Sequence, residues 1–140
     1  MPYERLLKQD LIKRQSPGKR AVQDLLTLAD RDAHTAEHLL EMDPDWAFNI
    51  AYNSALQVSR AYMLQEGYRP RGPNQHATVI QFLKEGLAEL FVDDITTLDQ
   101  MRRKRHRSVY ETAGRIGVAE AEQAVAFAKR YLARIRGLLG

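Results

Sequence analysis

The sequence predicts an all-α fold, an antiparallel four- to five-helix bundle with a short extra N-terminal helix, on three observations. Strong helix formers dominate, and no stretch sustains a period-two alternation of apolar and polar residues. Apolar residues recur instead at helical spacing, most clearly along Val22, Leu25, Leu26, Ala29, Ala33, Ala36 and Leu40. Helix breakers fall between such stretches, at Ser16-Pro17-Gly18, Asp43-Pro44, Gly67 and the segment from Tyr68 to Asn74.

Taken in order, a first helix is expected from about Tyr3 to Lys13, with Leu6, Leu7 and Leu11 on one side. A second is expected from about Gly18 to Met42. Asp43 then serves as N-cap and Pro44 as the first helical residue of a third helix, which runs to about Glu66 and ends on Gly67 as a left-handed C-cap. Two prolines and a glycine between Tyr68 and Asn74 make that segment the clearest loop. A fourth helix is expected from about His76 to Phe91, and a fifth from a cap at Asp93 or Asp94 to about Thr112. The last runs from about Val118 to Leu138. The short connections predict that successive helices pack antiparallel. The 140 residues read as one domain, with residues 1–16 as an N-terminal arm and 17–140 as the bundle.

Composition narrows the functional classes. There are no cysteines, which excludes disulfides and thiolate metal sites. No apolar run is long enough to span a membrane, and Met-Pro-Tyr-Glu-Arg at the start lacks the apolar core of a signal peptide, so the expectation is a cytoplasmic protein without a membrane partner. There is no phosphate-cradling glycine loop and no Gly-x-Ser-x-Gly elbow. Net charge is +3 and the isoelectric point about 9.3, which favours a polyanionic partner.

The distribution of charge says more than its total. Five of the 21 lysines and arginines fall in Arg102-Arg103-Lys104-Arg105-His106-Arg107. On a helical wheel with Leu98 at zero, Arg105 lies at about −20°, inside the apolar stripe of Ile95, Met101 and Val109. An arginine there keeps its charge and must meet a carboxylate, a cleft or a subunit boundary. Arg102, His106 and Tyr110 form one row beside it at i, i+4 and i+8. Arg103, Lys104 and Arg107 point to the far side and read as a solvated face. Arginine grips phosphate in a fork, histidine exchanges a proton near neutral pH, and tyrosine stacks or donates a hydrogen bond, so the row has the chemistry of a nucleotide or phosphate site. The structural alternative is an intramolecular row of ion pairs with Tyr110 packed as an interface aromatic.

Other constellations carry less. Arg69 and Arg71 sit on a proline-stiffened loop and are candidate phosphate contacts, or else ordinary loop charges. His34 and His38 have a spacing that can bind a metal, but they point away from the apolar line, and we assign them to a solvated face; no metal or cofactor is expected. Trp46, Phe48 and Tyr52 are assigned to the core or a dimer contact rather than to base stacking.

In this setting the chain resembles the HEPN superfamily. The resemblance is carried by Ala29-Asp30-Arg31-Asp32-Ala33 and Ala36-Glu37-His38-Leu39-Leu40, then by the stretches Trp46 to Ala55 and Arg60 to Leu64. Gly67 with the Pro70 loop follows, and His76 stands where related proteins often open the next helix with a histidine. Leu98 to His106 is similar to the family's signature helix, and Ala124, Phe127, Ala128, Tyr131 and Ile135 to its last helix.

The resemblance implies a helical bundle that dimerises through its signature helices. It further implies either a metal-independent ribonuclease, often a toxin, or a nucleotide-binding partner of a small nucleotidyltransferase. The ribonuclease motif is an arginine, often followed by a polar residue, then a histidine after four to six intervening positions. Arg105-His106 fits its start, but Tyr110 stands where the histidine is expected, and Arg102 and His106 are too close together.

The leading expectation is therefore a homodimer that binds nucleotide or RNA in a basic cleft at the dimer interface. It would act beside a nucleotidyltransferase or in a toxin–antitoxin or defence system. Arg102, Arg105, His106 and Tyr110 would line the cleft, with Arg69 and Arg71 as further contacts. One alternative is a variant ribonuclease using Arg105, His106 and Tyr110, and another is a non-catalytic helical interaction module.

Overall fold

The computed structural model of the chain describes residues 2–87, 89–110 and 116–140, with side chains through residue 106 in the middle stretch. Its elements are α1 (Glu4–Lys8), β1 (Ile12–Arg14), α2 (Lys19–Leu39), α3 (Pro44–Gln65), β2 (Tyr68–Pro70), α4 (Gln75–Gly86), a 3-10 turn (Glu89–Phe91), α5 (Val92–Tyr110) and α6 (Val118–Leu139). The expected all-α bundle is what forms. No helix among the described residues is long and apolar enough to cross a membrane.

α3 is the axis of the bundle, and it packs against α2, α4, α5, α6 and β2. Its start follows from local chemistry: the Asp43 carboxylate accepts from Trp46 N at 3.1 Å, with Pro44 opening the helix. Gly67 ends it at φ +94°, a conformation that side chains with a Cβ resist. Between these points Ala47, Ala51, Ser54, Ala55, Ser59 and Ala61 are all buried. Small residues let neighbouring backbones approach closely, and the Ser54 hydroxyl donates to the Ala29 carbonyl of α2 at 2.6 Å. Asp32 on α2 accepts from Asn53 and Gln57 of α3, so the hairpin of α2 and α3 is tied by polar as well as apolar contacts. α6 lies on another side, where Tyr131 and Ser59 share a buried hydrogen bond of 2.8 Å. α5 runs antiparallel to α6, tied by Asp94 to Arg134 at one end and Lys104 to Glu120 at the other.

Three expectations about the elements are corrected. First, the opening helix stops at Lys8, not Lys13. Asp10 takes a left-handed backbone conformation at φ 61°, and the chain turns into a strand whose Ile12, Lys13 and Arg14 pair antiparallel with Pro70, Arg69 and Tyr68. Three residues are too few for period-two alternation to register in sequence. Second, the segment from Tyr68, expected as loop, supplies the other strand, and it carries the chain back along α3. α4 therefore advances beside α3 in the same sense, with His76 at Tyr52 and Phe82 at Tyr62, where a short loop predicts antiparallel packing. Third, α4 stops at Gly86 rather than Phe91. Leu87 is extended and the 3-10 turn leads straight into α5, so Asp93 and Asp94 lie in its first turn rather than capping it. Phe91 is buried there beneath the Arg134 guanidinium, 4.4 Å from the ring centroid.

The N-terminal segment is stapled to this frame by aromatic rings. Tyr3 stacks on Phe82 at 3.9 Å and meets Tyr68 edge-on at 5.2 Å. Its hydroxyl shares a 3.2 Å hydrogen bond with the Tyr62 hydroxyl and donates to Glu66. Burial and these partners push the Tyr3 phenol far above its ordinary range, so it stays a donor.

Both hydroxyls crowd the backbone of Gly86. A Cβ there would overlap the Tyr3 hydroxyl and come within 2.7 Å of that of Tyr62. Gly86→Ala is expected to lower unfolding free energy by about 1–3 kcal/mol, measured by urea denaturation. Tyr3→Ala in the same chain should make that added methyl markedly less costly.

Candidate functional site

A concave surface of about 410 Å³ opens between the start of α4 and the middle of α5, lined by Asn74, Gln75, His76, Ala77, Arg102, Arg105 and His106. Helical spacing places the α5 residues: Arg102 and His106 are one turn apart on one row, with Arg105 beside them. The α4 residues arrive because the β2 strand returns the chain to the level of Tyr52.

Arg105 is half-buried, as its position in the apolar stripe predicts. No carboxylate pairs with it among the described residues. Its guanidinium sits over the Tyr52 ring, 5.7 Å from the centroid, so α3 offers it a π-face instead of an anion. Within the single chain, Arg105 thus lines a cleft instead of meeting a described carboxylate. Arg102 is held differently: its Nε and Nη2 both reach Asp99 Oδ1 at 2.9 Å, and Arg103 reaches the other carboxylate oxygen at 3.1 Å. Asp99 thus neutralises part of the row and leaves Arg105 as its least compensated cation.

His106 lines the cleft and is exposed. The side chain of Tyr110, the last member of the expected row, lies outside the described residues, as does that of Arg107. Lys104 departs from expectation. It is not on a solvated face but half-buried, with Nζ 3.4 Å from Glu120 of α6. A wheel drawn for one helix has no knowledge of the neighbour that covers its flank. Arg103 is exposed, as expected.

Arg71 pairs with Asp10 at 3.3 Å and borders a separate depression that shares Asn74 and Ala77 with the cleft. Arg69 is exposed on β2 opposite Lys13, and neither arginine lines the cleft itself. His34 and His38 each turn Nδ1 onto the backbone carbonyl one turn earlier, at 2.9 and 2.8 Å. Among the described residues no cluster of three metal-ligating side chains occurs. Phe48 and Tyr52 are buried, whereas Trp46 is 54% exposed.

The structure adds a participant that sequence reasoning did not place in the site. His76 lines the cleft, and its Nδ1 lies 3.0 Å from the Tyr52 hydroxyl. Burial lowers its pKa below the ordinary histidine value, and the charges of Arg105, Arg60 and Arg102 lower it further. The Tyr52 phenol is pushed up to about 12, chiefly by burial, which the same arginines only partly offset. The signal in sequence was a lone histidine at the start of a helix. Nothing there ties it to Arg105, almost thirty positions away.

The sequence matches the HEPN domain family over residues 22–138. A crystal structure of an archaeal HEPN homologue is similar in fold, with a TM-score of 0.65 and 21% identity over 85% of this chain and 98% of that one. No curated protein matches the chain.

The lowered pKa of His76 has a consequence for stability. The unfolded chain takes up a proton near the ordinary histidine value of 6.5 while the folded chain resists it, so unfolding should become easier as pH falls below that value. His76→Gln should flatten this part of the dependence, read from urea denaturation between about pH 5 and pH 7.

Proposed function

This chain belongs to the HEPN family, and from that premise we propose that it binds a nucleotide or RNA through its phosphate groups, in the cleft formed by Arg102, Arg105 and His106. The observation that carries the reading is Arg105, a half-buried guanidinium in a concave surface with a tyrosine ring beneath it and no carboxylate partner among the described residues. Such a group is already partly desolvated and oriented, so an entering phosphate meets a charge that does not have to leave another anion. Arg102, braced by Asp99, adds a second fork. Tyr110 follows on the same helical row. Arg71 and Arg69 serve as outlying phosphate contacts for a longer strand.

Family membership supports the rest of the reading. The chain works as a homodimer with the cleft at the interface of the α5 helices. It acts with a nucleotidyltransferase partner or within a toxin–antitoxin or defence system, in the cytoplasm. A ribonuclease activity is favoured by one observation: His106, whose imidazole is the side chain most often used for general acid–base catalysis, lines the same cleft as both arginines.

Arg105→Ala should weaken binding of single-stranded RNA or ATP by about tenfold or more in fluorescence anisotropy. Affinity in the parent chain should fall steeply with salt, because phosphate contacts release counterions. Unchanged binding in Arg105→Ala would remove the reading. Light scattering at micromolar concentration checks the dimer, with a monomer counting against a shared cleft. RNA cleavage that persists in EDTA and disappears in His106→Ala would establish the ribonuclease.

A further inference from the structure

The Tyr52 hydroxyl is buried, and its hydrogen-bond partner is Nδ1 of His76 at 3.0 Å. No other hydrogen bond to that hydroxyl exists among the described residues. A buried O–H has to donate, because leaving the donor unpaired costs more than leaving one of the phenol's acceptor positions open. The phenol keeps its proton across the physiological range, since burial pushes it up to about 12. It therefore donates to Nδ1. An imidazole accepting at Nδ1 carries its own proton on Nε2, on the opposite side of the ring. Burial first, and then the charges of Arg105 and Arg102 from α5 and Arg60 from α3, disfavour a second proton on the ring. His76 lines the cleft, and among the described residues its Nε2 has no partner.

Resting on the phosphate-binding reading above, we infer that His76 is a further anion-binding residue of the cleft, its Nε2–H joining Arg105 on one phosphoryl group, and that Tyr52 is the positioning residue that fixes this tautomer. The arrangement ties the two donors to one support. Tyr52 carries Arg105 over its ring and orients His76 through its hydroxyl, so one buried side chain of α3 sets both. A neutral donor complements the arginines usefully. It adds a directed hydrogen bond without a third mutually repelling cation, and it needs no proton uptake when the ligand enters. With its Nε2 occupied by a proton, His76 presents no lone pair to a ribose hydroxyl, so its part is binding rather than proton abstraction. The cleft, about 410 Å³, lies within the range of small-ligand sites, and the ligand class is a phosphate-bearing nucleotide or a phosphorylated RNA end.

The test uses the full chain in two measurements. Long-range proton–nitrogen correlation spectra of the histidine rings should show His76 with its proton on Nε2, and a mixture of tautomers in Tyr52→Phe. Titration with inorganic phosphate, AMP and a short RNA with and without a 5′-phosphate should then rank the variants. His76→Ala is expected to weaken phosphate and AMP about tenfold. His76→Gln, whose amide N–H replaces the Nε2 donor, should recover most of that loss. A preference for the 5′-phosphorylated RNA assigns the subsite to strand ends, and equal affinity for both RNAs with strong AMP binding assigns it to free nucleotides. His76→Ala and His76→Gln binding like the parent, while Arg105→Ala binds poorly, would overturn this inference and leave the cleft reading standing. Parent-like binding in Arg105→Ala would overturn both. A His76 proton found on Nδ1 in the parent chain would overturn the role given to Tyr52.

Discussion

A helix buried on almost every side cannot leave its hydroxyls unpaired, and α3 carries Tyr52, Ser54, Ser59 and Tyr62 into the interior. Each finds its partner on a different element. Ser54 donates to the Ala29 carbonyl of α2, Ser59 meets Tyr131 of α6, Tyr62 meets Tyr3 of the N-terminal segment, and Tyr52 meets His76 of α4. Apolar packing alone would tolerate small rotations and slips of these neighbours against the axis. Four directed hydrogen bonds do not, because a slip would strand a polar group in a low-dielectric interior.

The candidate site is the outward consequence of one of these bonds. Tyr52 lies under the cleft rather than in it. Its ring face supports the Arg105 guanidinium and its hydroxyl holds the His76 ring, so core and site share a side chain. This also accounts for the electrostatics. Arg60, Arg102 and Arg105 converge on a region whose described acidic partner is Asp99, already engaged by Arg102 and Arg103. The remaining positive potential falls on a concave surface, where low-dielectric walls concentrate it.

Periodicity and breakers make the helices legible in the sequence. Arg105 is legible because a charge at the centre of an apolar stripe breaks a local rule, and such breaks mark sites. The short ladder of Ile12–Arg14 with Tyr68–Pro70 is not, because its pairing is non-local and its strands are too short to alternate visibly. The ladder returns the chain along α3, and only that return sets His76 beside Tyr52. The solvated face assigned to Lys104 failed for a related reason, since α6 comes to cover the flank of α5 and brings Glu120 to it.

By itself, then, the sequence determined the all-α class, the start and end of the central helix, and the arginine that has no comfortable place in its own helix. These depend on residues within a turn or two of one another, where backbone geometry and capping chemistry decide. Tertiary structure alone decided that Arg105 rests on a tyrosine ring, that Lys104 is paired rather than free, and that a histidine from another helix shares the cleft. Those contacts join residues tens of positions apart, and their geometry is set by how the elements pack around α3, which no local pattern encodes.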